Sequence, residues 1–304
     1  MSTSSVMTVT DQRTGTWLGL AADYVELTKP RILLMVLITV GIAGLAATRG
    51  QVSVLQLLNA VVATGLVAAS ASTMNQWMER SSDARMARTA NRPLPSGRLS
   101  STQVIVFGLL TGVAGLSYLA IACGGVPTAF AALTWFLYVC VYTPMKTRTW
   151  LNTAVGAIPG ALPVLIGWTA TGSSLDSRAW TLFFLVLLWQ FPHFMAIAWL
   201  YRKQYAEAKM PMLPVVDATG RSAGLHAVVG AVLMLLVSLY PFEIWQTSPT
   251  YLIASLFLGS AMVVFAIRFS CHRNDLTARR LLRVSLVYLP IQLALATILN
   301  LGLI

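Results

Sequence analysis

The chain has 304 residues, of which 57% are hydrophobic and only 10% are charged, and its net charge is +11. Soluble domains carry about a quarter charged residues, so a chain this long cannot cover a globular surface with polar groups and must use lipid as its solvent along much of its length. The basic excess does not require nucleic acid, because anionic lipid and the bias of basic residues toward the cytoplasmic side account for it. The three cysteines lie in or beside apolar stretches without C-x-x-C spacing, which is typical of packing residues.

The beginning of the chain is polar, and we expect residues 1–28 to form a polar N-terminal segment ahead of a single transmembrane domain at 29–304. The first long apolar run begins only at Ile32, which is later than in a cleavable signal peptide. A mitochondrial transit peptide would be rich in arginine and poor in acids, and this segment has the opposite balance. These features favour the bacterial cytoplasmic (inner) membrane.

Apolar runs of about 20 residues, the length that crosses a bilayer, recur along the chain and predict an all-α, polytopic membrane protein. The nine candidate spans are Ile32–Thr48, Val54–Asn75, Val104–Cys123, Pro127–Tyr142, Thr153–Thr171, Ala179–Tyr201, Ala223–Trp245, Tyr251–Phe269 and Leu281–Ile304. The two longest connections on the cytoplasmic side follow the second and the sixth spans. This recurrence predicts two four-helix halves plus a ninth helix.

The distribution of basic residues tests this count and predicts an orientation. If the N-terminus is cytoplasmic and the connections alternate, 19 of the 21 Lys and Arg residues lie on the cytoplasmic side. Only Arg49 and Arg178 then lie outside. A wrong number of spans would distribute these basic residues over both sides of the membrane. The positive-inside bias therefore favours nine spans, a cytoplasmic N-terminus and a C-terminus on the outer side.

Three oxygen-bearing side chains, Asn75, Glu79 and Asp83, follow one another at the end of the second span. Steps of four residues turn a helix by about 40° and advance it by about 6 Å, so the three side chains share one face. An amide and two carboxylates are hard oxygen ligands of the kind that Mg²⁺ takes together with substrate phosphates and water. The alternative is a solvated helix end whose acids are paired with Arg80 or Arg85. Because these acids lie where a span leaves the membrane, we favour the metal site.

Two basic segments on the cytoplasmic side are candidates for binding the phosphates of a substrate. The first extends from Arg85 to Arg98, and its prolines and glycine indicate a shaped loop. The second is the tight turn between the fourth and fifth spans. Arginine and lysine bind diphosphate through charge-assisted hydrogen bonds, although plain topogenic charge is the alternative for both segments. Proximity to the metal column favours diphosphate binding by Arg85, Arg92, Lys146 and Arg148.

The sixth span carries His193 directly after Pro192, within an aromatic stretch. A histidine in such a helix is a candidate ligand for heme iron or a candidate proton acceptor. The alternative is a neutral histidine that is bonded to a backbone carbonyl left free by the proline. In the next cytoplasmic connection, Glu207 and Asp217 either complete a second metal site or are solvated loop charges.

Several strings in the chain are similar to those of a known family. They are Lys29-Pro-Arg31, Asn75-Gln-Trp-Met-Glu79-x3-Asp83, Asn91-Arg-Pro-Leu-Pro-Ser-Gly97, Tyr142-Thr-Pro-x-Lys146, Trp189-Gln-Phe-Pro-His193-Phe and Pro211-Met-Leu-Pro214. In colinear order over roughly residues 20–300, they resemble the protoheme IX farnesyltransferases, or heme O synthases, of the intramembrane aromatic prenyltransferase superfamily. The superfamily usually has aspartate at the middle position of the first metal motif, and Glu79 there resembles the heme branch.

The resemblance implies transfer of a farnesyl group from farnesyl diphosphate to a vinyl group of heme b (protoheme IX), with Mg²⁺ as the cofactor. The product is heme O, on the route to heme A for terminal oxidases, and the partners are the two substrates and the lipid bilayer. Whether heme A synthase is a further partner is left open. One position departs from the family, because Gln204 stands where a carboxylate of a second metal motif is expected, and Glu207 is its candidate substitute.

The residues are also compatible with two alternatives to this function. The first is a sister prenyltransferase that acts on a quinone precursor or on chlorophyll, with the same chemistry and another acceptor. The second is a small-molecule transporter, which would carry ionisable groups or broken helices near the middle of the membrane. The charged residues of this chain instead cluster at one face, which favours an enzyme.

Overall fold

The computed structural model describes residues 17–51, 53–244 and 249–300, and within these ranges the regular structure is helical. In chain order the helices are α1 (Trp17–Leu27), α2 (Pro30–Ala47), α3 (Val54–Asp83), α4 (Ser101–Cys123), α5 (Gly125–Phe136), α6 (Thr143–Met145), α7 (Asn152–Ala170), α8 (Ser177–Leu200), α9 (Arg202–Glu207), α10 (Leu213–Val216), α11 (Arg221–Ile244), α12 (Pro249–Cys271) and α13 (Asp275–Asn300). A π-helical turn at Leu137–Tyr142 joins α5 to α6.

Nine spans in the described part of the chain are long and apolar enough to cross a membrane. They are α2, α3, α4, the continuous unit from α5 to α6, α7, α8, α11, α12 and α13. The prediction of an all-α, multi-pass membrane protein with nine spans is therefore confirmed. The predicted span ends at Trp245 and Ile304 lie outside the described residues.

The spans pack largely in chain order. Helices α2 to α5 each contact the next, as do α7, α8, α11 and α12. Helix α13 contacts α12 and α8 and also reaches α2, so it joins the end of the chain to its beginning. Helix α7 lies among α2, α5 and α8 and is the most buried of the spans. This order agrees with the predicted division into two four-helix groups and a ninth helix.

The close packing of α3 against α4 depends on small residues in α4. A Cβ atom added at Gly115 would lie 2.8 Å from the backbone nitrogen of Val67, and one at Gly108 would lie 2.8 Å from the sulfur of Met74. Glycines at an interface allow two membrane helices to approach closely and gain van der Waals contact, which replaces the hydrophobic driving force that lipid does not supply. This close packing holds the middle of α3, up to the residue that precedes Asn75.

The structure changes two details of the sequence-based description. The second span was predicted to end at Asn75, whereas α3 continues for two more turns to Asp83. The N-terminal segment contains α1, which is docked by Arg98 through ion pairs of 2.8 Å to Asp23 and 2.7 Å to Glu26. Arg98 therefore anchors α1. The loop that follows α3 is continuous with α3 at its start and is bound to α1 near its end.

Candidate functional site

The three predicted oxygen ligands lie on the last turns of α3 and are buried. The exposed fractions are 0% for Asn75, 7% for Glu79 and 1% for Asp83. A helix of 30 residues is about 45 Å long, whereas the hydrocarbon core of a bilayer is about 30 Å thick. Helix α3 is therefore longer than the hydrocarbon core, and other segments of the protein cover the three side chains.

Each of these three side chains contacts one basic residue, and each basic residue comes from a different segment. The Nζ of Lys29 donates to Oδ1 of Asn75 at 2.6 Å. The Nζ of Lys146 lies 2.7 Å from Oε1 of Glu79. The last pair is Arg92 with Asp83, in which Nη1 donates to Oδ2 at 2.6 Å. Three cations thus face two carboxylates, and the excess positive charge favours binding of an anion at this site.

Local backbone features place these basic residues. Lys146 follows α6 directly, and the side chain of Thr143 in α6 accepts a hydrogen bond from Nδ2 of Asn75 at 2.9 Å. Thr143 in turn donates to the carbonyl oxygen of Tyr138, in the π-helical turn, at 2.8 Å. Such π-helical turns occur frequently at functional sites. The turn therefore fixes both the amide of Asn75 and the position of Lys146 relative to α3.

The loop after α3 positions Arg92. The hydroxyl of Thr89 donates to the carbonyl oxygen of Asp83 at 2.9 Å, which closes the first turn of the loop. The backbone amide of Leu99 then bonds to the carbonyl of Pro93 at 3.1 Å. These bonds confirm the expectation of a shaped loop, and they return the guanidinium group of Arg92 to the end of α3.

Burial and charge act on the two lysines in opposite ways. Burial lowers the pKa of Lys29 to about 7, and the neighbouring charge of Lys146 adds to this effect. Burial also opposes the charge of Lys146, but the adjacent carboxylate of Glu79 outweighs it and raises the pKa of Lys146 well above its usual range. Lys146 is therefore a fixed cation, whereas the charge of Lys29 is weakly held until more negative charge enters the site.

The residues present fit a divalent cation such as Mg²⁺. Oδ1 of Asp83 is buried without a hydrogen-bond partner, and buried orphan oxygens of this kind require an explanation such as a bound ion or water. Together with Oδ1 of Asn75 and the carboxylate of Glu79, it provides hard oxygen donors. Within the described ranges no group of three or more His, Cys, Asp or Glu residues comes together. Substrate phosphates and water would therefore have to complete the coordination shell.

The remaining predicted phosphate ligands lie apart from these three pairs. The side chains of Arg85 and Arg148 are exposed. Glu79 and Asp83 are paired with Lys146 and Arg92, and not with Arg80 or Arg85 as in a solvated helix end. Arg80 instead lies over the ring of Trp77, with its guanidinium carbon 5.3 Å from the ring centroid. Arg85 and Arg148 can reach an anion only from the solvent side of the cluster.

The candidates for a second metal site differ in their surroundings. Glu207 is exposed at the end of α9, whereas Oε1 of Gln204 is buried without a hydrogen-bond partner. The carboxylate of Asp217 accepts from the backbone amides of Thr219 at 3.0 Å and Ser222 at 2.8 Å. The hydrogen bonds from Thr219 and Ser222 lower the pKa of Asp217, which caps the start of α11 and is a structural residue.

His193 makes a side-chain contact across the bundle. Its Nδ1 lies 2.9 Å from Oγ of Ser285 on α13, and its ring stacks on Trp189 with a centroid separation of 4.5 Å and an angle of 24°. The hydroxyl of Ser285 donates to the carbonyl of Leu282 at 2.7 Å. Because that hydroxyl has one proton, its oxygen accepts from Nδ1–H, and the lone pair of the imidazole lies on Nε2. His193 is therefore bonded to Ser285 and not to a backbone carbonyl that Pro192 leaves free.

Sequence reasoning did not assign Lys29 or Ser285 to the site. A single lysine before a span is indistinguishable in sequence from topogenic charge, although the following proline is a local signal for a fixed turn. Ser285 is 92 residues from His193 and has no local signature. Only the packing of α13 against α8 reveals it.

Together, these features define a class: a multi-pass membrane enzyme that holds oxygen ligands and basic side chains at one end of a helical bundle. The chain belongs to the UbiA prenyltransferase family, whose profile matches residues 35–289. The match includes Asn75, Glu79, Asp83 and all the basic residues of the cluster except Lys29, which lies just before it.

Curated relatives match nearly the whole chain. A protoheme IX farnesyltransferase of Solibacter usitatus (strain Ellin6076) is 40% identical over 278 residues, which cover 88% of this chain and 95% of the relative. The protoheme IX farnesyltransferase of Rhodopirellula baltica is 42% identical over 282 residues, covering 90% and 98% respectively.

Solved structures show the same fold at much lower identity. A digeranylgeranylglyceryl phosphate synthase aligns with a TM-score of 0.79 and 16% identity over 93% of this chain and 99% of its own. A UbiA homologue of Archaeoglobus fulgidus, bound to DMAPP and Mg²⁺, aligns with a TM-score of 0.65 and 15% identity over 91% of this chain and all of its own. The described helices therefore have the same fold as these solved structures.

Proposed function

We propose that the protein transfers the farnesyl group of farnesyl diphosphate to a vinyl group of heme b and so produces heme O. The observation that carries this proposal is the buried cluster at the end of α3, where oxygen ligands and three cations suit a metal-bound diphosphate. The acceptor is inferred from the curated relatives, which are named protoheme IX farnesyltransferases and match about nine-tenths of the chain.

The basic residues of the cluster promote departure of the diphosphate. Lys146 and Arg92 are held at the ends of 2.7 and 2.6 Å contacts and can place positive charge where the leaving group gains negative charge. Mg²⁺ bound by Asn75, Glu79 and Asp83 would supply further charge neutralisation for the phosphate oxygens. Arg85 and Arg148 extend the positive surface toward solvent and would receive the diphosphate as it arrives and leaves.

The transfer itself has a simple balance of bonds. The carbon–oxygen bond of farnesyl diphosphate breaks, and its electron pair leaves with the diphosphate. The vinyl group of heme b then forms the new carbon–carbon bond, and water adds at the adjacent carbon to give the hydroxyethylfarnesyl side chain with release of one proton. Apolar surface among the spans would hold the farnesyl chain and limit premature attack by water.

His193 is the candidate contact for heme. Its Nδ1 is bonded to Ser285 at 2.9 Å, so the free lone pair on Nε2 is the kind of nitrogen that ligates heme iron or accepts a proton. Histidine ligands commonly have their second nitrogen fixed by such a hydrogen bond. The stacked ring of Trp189, at 4.5 Å, restricts rotation of the imidazole.

The proposal includes a location and an orientation. The cluster at the end of α3 faces the cytoplasm of a bacterial cell, from which farnesyl diphosphate is drawn, and heme b is taken from the inner membrane. The split of 19 to 2 basic residues between the two sides supports this orientation. Heme A synthase would act next on the product, and contact between the two enzymes would limit exposure of free heme O.

Pigment analysis tests the proposed function. Membranes that contain the protein, heme b and farnesyl diphosphate should yield a heme with an added hydroxyethylfarnesyl group when extracted and examined by mass spectrometry. Membranes with the Asp83→Asn variant at equal abundance should not. A prenylated quinone precursor instead of prenylated heme would identify a sister enzyme. Uptake of a small molecule with no prenylated product would identify a transporter.

A further inference from the structure

One basic residue of the cluster, Lys29, is not among the predicted phosphate ligands. Lys29 lies at the junction of α1 and α2, outside the predicted basic segments, yet its Nζ lies 2.6 Å from Oδ1 of Asn75. This oxygen is one of the three proposed metal ligands. The contact therefore places a lysine ammonium group on an oxygen that the metal ion would also use.

The backbone at Lys29 is held in an uncommon conformation. Its φ of 53° and ψ of 68° are in the left-handed region, which residues other than glycine adopt rarely, and the next residue is Pro30. Gln76 holds the preceding turn by donating to the carbonyl of Leu27 at 2.9 Å, and Leu27 is completely buried. Strained backbone that is maintained by its surroundings is a feature of functional sites.

The amide of Asn75 cannot turn away to avoid this competition. Its Nδ2 donates to Thr143 at 2.9 Å, so Oδ1 is fixed toward Lys29. A Mg²⁺ ion would bind this oxygen at about 2.0–2.1 Å. The ion and the ammonium group are both positive and would share one acceptor at close range, so each opposes binding of the other.

From this geometry we infer that Lys29 has two positions and a function in each. In the metal-free protein it occupies Oδ1 of Asn75. When a divalent ion binds there, the Lys29 side chain moves onto the prenyl diphosphate and becomes an additional phosphate ligand. Metal and diphosphate then bind cooperatively, because the diphosphate provides the displaced lysine with a new partner. This inference rests on the proposed function, since it requires a diphosphate substrate at the cluster.

Binding measurements on purified protein test the inference independently of turnover. Mn²⁺ is the metal probe, followed by electron paramagnetic resonance, and a non-hydrolysable thio-analogue of farnesyl diphosphate is the diphosphate probe. The variants are Lys29→Met and Lys29→Gln, and Lys203→Met, an exposed lysine on α9, is the matched control. Using both variants at position 29 retains the test if one of them fails to fold.

The two probes should respond in opposite directions. Without the analogue, the Lys29 variants should bind Mn²⁺ more tightly than the wild type, by about 3- to 10-fold, because a competing cation is absent. With Mn²⁺ present, they should bind the analogue about 10-fold more weakly, since one charge-assisted hydrogen bond is lost. The Lys203→Met control should match the wild type in both measurements.

Other outcomes contradict the inference. A purely structural role for Lys29 predicts that both affinities fall together, and an uninvolved residue predicts no difference from Lys203→Met. Either result overturns the exchange of Lys29 while leaving the proposed function intact. If the wild-type protein binds neither Mn²⁺ nor the analogue, the proposed function of the cluster fails first, and the inference fails with it.

Discussion

Replacing Glu79 by glutamine separates the chemical function of this residue from its structural one. At an effective dielectric constant of about 20, unit charges at the 2.7 Å separation of Glu79 and Lys146 attract each other by about 6 kcal/mol. Most of this attraction repays the desolvation of the two groups. Removing one partner from a buried pair leaves a buried charge without compensation, which costs about 3–5 kcal/mol.

Two features of Lys146 reduce that cost. Its side chain is 17% exposed, so water can partly solvate the charge after the carboxylate is gone. The ammonium group also lies over the ring of Tyr142, 4.7 Å from the centroid, and this cation–π contact remains in the variant. We therefore expect Glu79→Gln to lower the free energy of unfolding by about 2–3 kcal/mol, at or just below the lower end of the range for broken buried pairs.

A double variant tests this reasoning. Glu79→Gln should reduce heme O formation by at least about 100-fold, because an anionic ligand of the metal is lost at the point where the leaving group develops charge. Adding Lys146→Met removes the unpaired cation, so the thermal stability in detergent should return toward that of the wild type while activity remains lost. If the double variant regained activity together with stability, the loss in Glu79→Gln would be a folding effect. Near-normal turnover of Glu79→Gln at saturating Mg²⁺ would refute the metal assignment.

Three further predictions concern topology, the second metal site and the heme contact. Reporter fusions at Gly97 and Arg148 should be cytoplasmic and a fusion at Ile304 should be outside, and an outside signal at Gly97 would reverse the proposed orientation. The amide oxygen of Gln204 is buried without a hydrogen-bond partner, whereas Glu207 is exposed. Gln204→Glu should therefore lower the Mg²⁺ concentration that gives half-maximal activity, and Glu207→Gln should change that concentration little. The reverse pattern would assign the ligand to Glu207. Ser285→Ala should weaken heme binding about 10-fold and alter the heme absorption spectrum, as expected when the hydrogen bond behind a histidine ligand is removed. Unchanged heme binding with an unchanged spectrum would contradict the role proposed for this hydrogen bond.

Sequence patterns predicted those parts of the site that depend on local geometry. Asn75, Glu79 and Asp83 are spaced by four residues, and any helix through them places their side chains on one face. Nothing equally local distinguishes Arg92 from Arg85, because the choice depends on how the loop after α3 turns. The structure makes that choice through Thr89, which closes the first turn on the carbonyl of Asp83.

Residues that reach the site from other segments were harder to predict. The involvement of Lys29 depends on the docking of α1, which in turn depends on the ion pairs of Arg98 with two acids that lie 75 and 72 residues earlier in the chain. The partnership of Ser285 with His193 depends on the packing of the ninth span against the sixth. Long-range contacts of this kind follow from the tertiary arrangement of the spans and leave no periodic pattern in the sequence.

The position of the cluster along α3 explains how one site can serve substrates of opposite character. The helix is about 15 Å longer than the hydrocarbon core, by the rise of an α-helix and the thickness of a bilayer, and Asn75 to Asp83 occupy its last nine positions. A carboxylate left unpaired at that boundary would tend to take up a proton rather than remain charged. The pairing of Glu79 with Lys146 at 2.7 Å offsets that tendency and favours a charged Glu79 before any metal or substrate arrives. The diphosphate can then bind at this end of α3 while the farnesyl chain and the heme lie in apolar surroundings among the spans.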